Sequence, residues 1–267
     1  MSRHGRGLLA VIALAVALNL IGCSRFQGKR ADWTRMVLQA KPEPGQKVTK
    51  EVMDAATQTV KRRIDKLGVR DAVVYKKGLD KIVVELPDMK HKQKVIDLVR
   101  RTGALEFWYM ENVGMDRPDE KNRSPRFKME VSDTGEYSFK DAMRPTDPPI
   151  TSWAEIREKV IGKDTKPEFT GRDLKPETTC SSDQANRPAI RLVFKDDALR
   201  RFADFTRKHV REYLAVTFDG KILTVPLIQD VILTNPIITG SDTLKEAQEL
   251  TDLLNAGALP VPLEVVE

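Results

Sequence analysis

The apolar residues of this chain switch between strand-like and helix-like spacing in a repeating order. Met36 to Ala40 is a short apolar run of strand character. Behind it Val52, Ala56, Val60, Ile64 and Leu67 recur at intervals of four, four, four and three, which places them on one face of a helix. Thr49 stands where an N-cap belongs, and Gly68 where a C′ glycine ends the helix. Ala72 to Tyr75 and Lys81 to Leu86 are β-rich runs around a glycine-containing turn, which predicts a hairpin. A second helix is expected from about Lys90 to Arg101, with Val95, Ile96, Leu98 and Val99 as its apolar residues. Gly103 ends it, and Leu105, Phe107 and Tyr109 alternate in the strand that follows. The order is β-α-β-β-α-β, the ferredoxin-like plan.

The same order recurs after Arg187. Ile190, Leu192 and Phe194 alternate as in a strand, and Leu199, Phe202, Phe205, Thr206 and Val210 mark the inner face of a helix. Leu214 to Phe218 and Lys221 to Leu227 are joined by Asp219-Gly220, a strong hairpin signal. Ile228 to Leu233 is a candidate extension of the sheet, broken by Asn235-Pro236. Leu244, Ala247, Leu250 and Leu254 set the face of a closing helix, which Gly257 terminates before a last strand through Val265. Both halves carry a similar helix-to-strand junction, Thr102-Gly103-Ala104-Leu105 and Ala256-Gly257-Ala258-Leu259. The expected fold class is therefore α+β, two ferredoxin-like βαββαβ halves, the matched order indicating duplication.

Residues 111–188 differ in character. They hold eight of the fifteen prolines, as in Arg144-Pro145-Thr146-Asp147-Pro148-Pro149, which argues for an irregular inserted subdomain. Phe127, Tyr137, Phe139, Trp153 and Phe169 supply a small core for it. One helix is expected there, Ser152 to Ile161, with Ser152 and Glu155 as a capping pair.

At the N-terminus Arg3 and Arg6 precede an apolar run from Leu8 to Leu18, followed by Leu20-Ile21-Gly22-Cys23. A charged n-region, an h-region and a small residue before cysteine form a lipoprotein signal. The run is too short for an ordinary membrane span of roughly 20 residues. The expectation is a mature chain lipidated at Cys23, tethered to a membrane through residues 23–34 and lying outside the cytoplasm. An uncleaved anchor, or a chance cysteine beside a secretion signal, would place the remainder in the same compartment.

Charge narrows the partners. Lys and Arg number 45 against 39 acidic residues, and loss of the two leader arginines leaves a formal +4, too balanced to imply nucleic acid. With Cys23 lipidated, Cys180 has no disulfide partner and no cationic neighbour to activate it. His4 leaves with the leader, so His91, His209 and one cysteine cannot make a structural zinc site. No nucleophile elbow, HExxH motif, phosphate loop or dinucleotide fingerprint occurs. Asp196-Asp197 reads as a helix start, where acids favour the dipole. No catalytic residues, metal or other cofactor are expected. Lys61-Arg62-Arg63, Arg100-Arg101 and Arg200-Arg201 fall on outer helix faces, either solvated or against anionic lipid. Phe107, Trp108 and Trp153 read as core aromatics.

The stretch from Ile237-Ile238-Thr239-Gly240-Ser241-Asp242 to Asn255-Ala256-Gly257-Ala258-Leu259-Pro260-Val261-Pro262-Leu263 resembles the end of the large periplasmic domain of SecD, the accessory subunit of the bacterial protein-export translocase. The resemblance extends to Phe169-Thr170-Gly171-Arg172-Asp173-Leu174, Phe194-Lys195-Asp196-Asp197, Arg63-Ile64-Asp65-Lys66-Leu67-Gly68-Val69 and Ile82-Val83-Val84-Glu85-Leu86-Pro87. It is nearly absent over Glu111 to Glu168. The family's Gly-Leu-Asp-Leu-x-Gly-Gly stretch has no counterpart, Ala31-Asp32-Trp33-Thr34-Arg35 standing in its place. The family's downstream transmembrane helices have no match here either, so coupling to an ion gradient is not part of what the resemblance implies.

The resemblance implies a base of two halves carrying a head. The expected layout is a lipoprotein signal peptide at 1–22, the tether at 23–34, the first half of the base at 35–110, the head at 111–188 and the second half at 189–267. It implies a non-catalytic module that binds exported polypeptide chains or translocase subunits, with a hinge near Tyr109 to Val113 and Asn186 to Ala189. The residues of the polypeptide-binding surface are not legible. The competing expectation is a structural or regulatory envelope lipoprotein with another protein partner.

Overall fold

The computed structural model describes residues 33–43, 45–87, 92–114, 125–183, 185–241 and 243–267. The leader with His4, Cys23, most of the tether and His91 lie outside them. The first half has the expected elements: β1 (Thr34–Ala40), α1 (Lys50–Lys66), β2 (Val73–Lys77), β3 (Lys81–Leu86), α2 (Lys92–Arg100) and β4 (Leu105–Met110). Thr49 caps α1, its side chain accepting from the Val52 amide at 3.3 Å. Met53, Ala56, Val60 and Ile64 then bury one face of that helix against Met36, Leu38, Ile82, Val84 and Leu86 of the sheet.

Strand pairing departs from the expectation that each half closes its own sheet. The first sheet has the order β14-β1-β3-β2 and is antiparallel throughout, with β14 (Leu263–Val265) in the place expected for β4. The last residues of the chain lock onto β1 through Val37–Glu267 and Val266–Val37 backbone bonds. Strand β4 crosses into the other half. It pairs with β11 (Tyr213–Phe218) in a second sheet of order β12-β11-β4-β8, with β12 at Lys221–Thr224 and β8 at Phe169–Thr170. The two halves thus exchange a strand.

The exchanged strand is buried on both faces, because alternation sends successive side chains to opposite sides. Leu105 and Phe107 face a core shared with α4 (Asp196–Lys208) and α5 (Leu244–Ala256), where Phe107 meets the rings of Phe169, Phe194 and Phe202 at 6.3, 5.8 and 6.0 Å. Trp108 and Met110 face the other way, into the core of the insertion.

Asp219 and Gly220 both have positive φ, 49° and 73°, as the tight β11–β12 hairpin requires. A third sheet has the order β13-β10-β9, formed by β9 (Thr179–Ser182), β10 (Pro188–Arg191) and β13 (Ile237–Thr239). The expected extension over Ile228 to Leu233 is not a strand. Its backbone is taken by other partners, Ile228 N–H donating to Glu212 O and Ile232 N–H to the Thr206 hydroxyl, so pairing resumes only after Pro236.

The insertion is more regular than its prolines suggest. It contains a sheet of β5 (Val113–Gly114), β6 (Phe127–Val131) and β7 (Tyr137–Asp141), with Phe127, Met129 and Phe139 buried. The expected helix starts as predicted, the Ser152 hydroxyl accepting from the Glu155 amide at 3.3 Å. After one turn, α3 (Trp153–Glu155), it widens into a π-helix at Ile156–Gly162. The chain rejoins the shared sheet at β8. The stretch Asn186 to Ala189, expected as a hinge, spans the turn and first residues of the β9–β10 hairpin, where Asp183 accepts from the Ala185 and Arg187 amides.

Candidate functional site

The two similar junctions read from the sequence meet in space. Leu259 N–H donates to Thr102 O at 2.7 Å, and a side chain on Gly103 would come within 3.6 Å of Gly257 O. Where they cross, α1 places two successive arginines.

Arg63 is 1% exposed, which corrects the expectation of an outer, solvated face. Its guanidinium donates to Leu98 O at 2.8 Å, Thr102 O at 2.9 Å and Gly257 O at 3.1 Å, and to Arg101 O. These carbonyls end α2 and α5, where a helix leaves acceptors unpaired and its dipole favours a cation. Burial pushes the Arg63 pKa down to about 10, which leaves it charged at neutral pH. Arg62 is exposed, and it reaches the end of α5 from outside. Its Nε donates to Ala256 O at 2.9 Å and its Nη2 to the Thr59 hydroxyl at 3.0 Å.

Outside this crossing lies a cleft of about 500 Å³ lined by Ala55, Gln58, Thr59 and Arg62 of α1, by Arg172, and by Ala258 and Pro260. Arg172 belongs to the 3₁₀ turn Gly171–Asp173, braced by a capping box between Thr170 and Asp173. Asp173 also receives Arg201, so its carboxylate points to other partners. The Arg172 side chain meets no acceptor among the described residues, and no carboxylate lines the cleft. The segments Phe169 to Leu174 and Gly257 to Leu263, separate in sequence, both contribute to this wall.

On the opposite face of β4 the head is fastened by stacked side chains. Arg157 lies 3.8 Å over the Trp108 ring, and Trp108 packs edge-on against Trp153 at 5.8 Å. The Trp108 indole N–H donates to Glu106 at 3.2 Å and to the Thr217 hydroxyl at 3.3 Å. Burial pushes the Glu106 carboxyl up, opposed by the Trp108 hydrogen bond and the Arg157 charge. Ionising Glu106 is therefore less favourable folded than unfolded, a penalty present above its folded pKa and absent below its unfolded one. Glu106→Gln, which keeps an acceptor for Trp108, is expected to gain stability at pH 7 and to lose that gain as pH falls through the carboxylate range. Urea midpoints of both proteins at pH 7 and pH 4 check it.

Tyr109, at the first expected hinge point, is anchored. Its hydroxyl donates to Glu212, which His209 Nδ1 meets at 2.7 Å, and its ring lies 4.2 Å from the imidazole. His209 is thus engaged in packing, and among the described residues no three His, Cys, Asp or Glu side chains cluster as a metal site. Burial raises the Cys180 thiol, the direction of an unreactive cysteine. Asp196 and Asp197 start α4, and Asp196 pairs with Lys175 at 2.7 Å.

These features define a mixed α+β domain whose halves share a sheet and whose head packs on that sheet. The family description "SecDF, P1 head subdomain" matches residues 149–261, and "Protein translocase subunit SecDF, P1 domain, N-terminal" matches residues 53–112. The SecD subunit of Acidaminococcus fermentans is 32% identical over 262 residues, 97% of this chain and 50% of that protein. SecD of Dictyoglomus turgidum is 30% identical over 261 residues, 97% and 52%. A solved structure of SecDF, described as a membrane component that enhances protein export, is similar with TM-score 0.63 at 25% identity, covering 88% of this chain and 98% of that one. SecDF in its super-membrane-facing form gives 0.64 at 26% identity, covering 87% and 29%. The chain belongs to the family of SecD and SecDF periplasmic domains. It spans about half the length of the SecD relatives it matches.

Arg63 stands in a stretch that the sequence reading already singled out, and its burial was readable from spacing, since it lies three residues beyond Val60 on the apolar face. Arg62 and Arg172 carried no such signal. They lie 110 positions apart, and only the fold brings them to one cleft.

Proposed function

We propose that this chain is a membrane-tethered, non-catalytic SecD-like domain that binds polypeptide chains outside the cytoplasm and assists their export. The observation that carries this reading is the match to SecD subunits over 97% of the chain. The lipid tether at Cys23 rests on the leader sequence, and the description of both halves as ferredoxin-like on their element order. Exported chains and translocase subunits are the proposed partners, with no part for nucleic acid or a cofactor.

The test is photocrosslinking in intact cells. Trp153 and Asp219 are poor probe positions, since one packs on Trp108 and the other bonds to Thr102 and Ala104. Met143 on the head and Leu79 on the β2–β3 turn, 79% and 88% exposed, accept a probe without disturbing the core. Newly exported chains or translocase subunits trapped at Met143 are the expected result. One unrelated envelope protein, with no exported chains, would replace this reading with that of a structural or regulatory lipoprotein.

A further inference from the structure

The cleft outside the crossing holds two guanidinium groups and no acid. Arg62 is already oriented by its bonds to Ala256 O and Thr59, so its planar fork is held before any ligand arrives, and its Nη1 donors meet no acceptor among the described residues. Arg172 stands on a braced turn with its whole fork uncommitted. Arginine forks match carboxylates and phosphates in plane and spacing, and a lining suited to a peptide chain favours a carboxylate here. The remaining walls are short and mixed. Ala55, Ala258 and Pro260 offer apolar contact, and the exposed Gln58 amide can both donate to and accept from a peptide group. The site, about 500 Å³ in volume, admits a side chain with its flanking backbone.

We propose that this cleft binds a carboxylate-bearing segment of an extended polypeptide, with Arg62 and Arg172 gripping the carboxylate and Gln58 reading the adjoining peptide group. The inference rests on the polypeptide-binding reading above and adds a location and a preference for acidic sequence.

The probe is a fluorescein-labelled octapeptide of glycine and serine carrying two glutamates, compared with its glutamine counterpart. Fluorescence anisotropy is read with the full-length chain in mild detergent. The acidic peptide is expected to bind about tenfold tighter or more, and Arg172→Gln to abolish that difference, as loss of a charged hydrogen bond predicts. Arg172→Lys should restore part of it. Arg172 is exposed and uncommitted, so its replacement leaves the fold intact, which an unchanged urea midpoint verifies. Equal binding of the two peptides, unaffected by Arg172→Gln, overturns this inference while leaving the polypeptide-binding reading standing. Failure of both peptides to bind, with an exported protein in unfolded form also ignored, overturns both. Arg172-dependent binding of inorganic phosphate alone, or of phosphatidylglycerol vesicles, with no preference for the acidic peptide, overturns it in favour of a small anion or a lipid headgroup.

Discussion

Alanine in place of Arg63 is expected to lower folding stability by about 4 kcal/mol or more, measured as the shift in a urea transition. The side chain pairs carbonyls of Leu98, Arg101, Thr102 and Gly257; Thr102 O would keep the Leu259 amide, while the other three would lose this donor within the crossing. Each buried acceptor without a partner costs about 1–3 kcal/mol, and a water entering the vacated space would recover only part of the sum. Against this stands relief of the desolvated charge, visible in the lowered pKa. Three carbonyls that lose their donor outweigh that relief, because they remain whether or not the cation does. Methionine should therefore rescue little, unlike the usual replacement of a buried ion pair by apolar groups, which removes both partners. Lysine keeps a charge but presents a point donor in place of a fork, and an intermediate loss of about 2 kcal/mol is expected. A loss below about 1 kcal/mol for alanine would show that water replaces the guanidinium, which the crossing as described does not favour.

Phe107→Ala is the second large effect, about 3–5 kcal/mol from lost burial and the cavity left behind. Its ring sits among Phe169, Phe194 and Phe202. The more discriminating readout is the shape of the transition. Phe107 is borne by the first half but packs in the core of the second, while β14 does the reverse. Weakening one core should thus weaken both. Tryptophan fluorescence, which reports Trp33 beside β1 as well as Trp108 and Trp153, and far-ultraviolet circular dichroism should shift together and remain coincident. Two separated transitions, with the first half unfolding at its original midpoint, would show that the exchanged strands do not couple the halves.

Element order along both halves was legible because most helices there have one buried face, so their periods are clean, 3.6 in α1 and α5. Strand β4 was legible as a strand but not in its placement. Its sequence, Leu105-Glu106-Phe107-Trp108-Tyr109-Met110, has large apolar residues at both parities. Phe107 and Trp108, both core aromatics of opposite parity, with Met110, show burial from two sides and so a strand between two layers. The head hairpin was hidden by the prolines around it, although Phe127, Met129 and Val131 alternate ahead of Asp133-Thr134-Gly135. For Arg63, charge was given more weight than position on the helix. The cleft had no local signal at all, since its two arginines come from segments joined only by tertiary structure.

The strand exchange also sets an order of events in time. Strand β1 receives one of its two neighbours from Leu263–Val265, so the sheet begun at Thr34–Ala40 is completed only by a strand far along the chain. Contacts that far apart in sequence are slow to form, and a newly emerging N-terminal half would present β1 with an open edge until the C-terminal strand arrives. The first half therefore cannot close its sheet on its own, and its completion waits on a strand contributed from the far end of the second half.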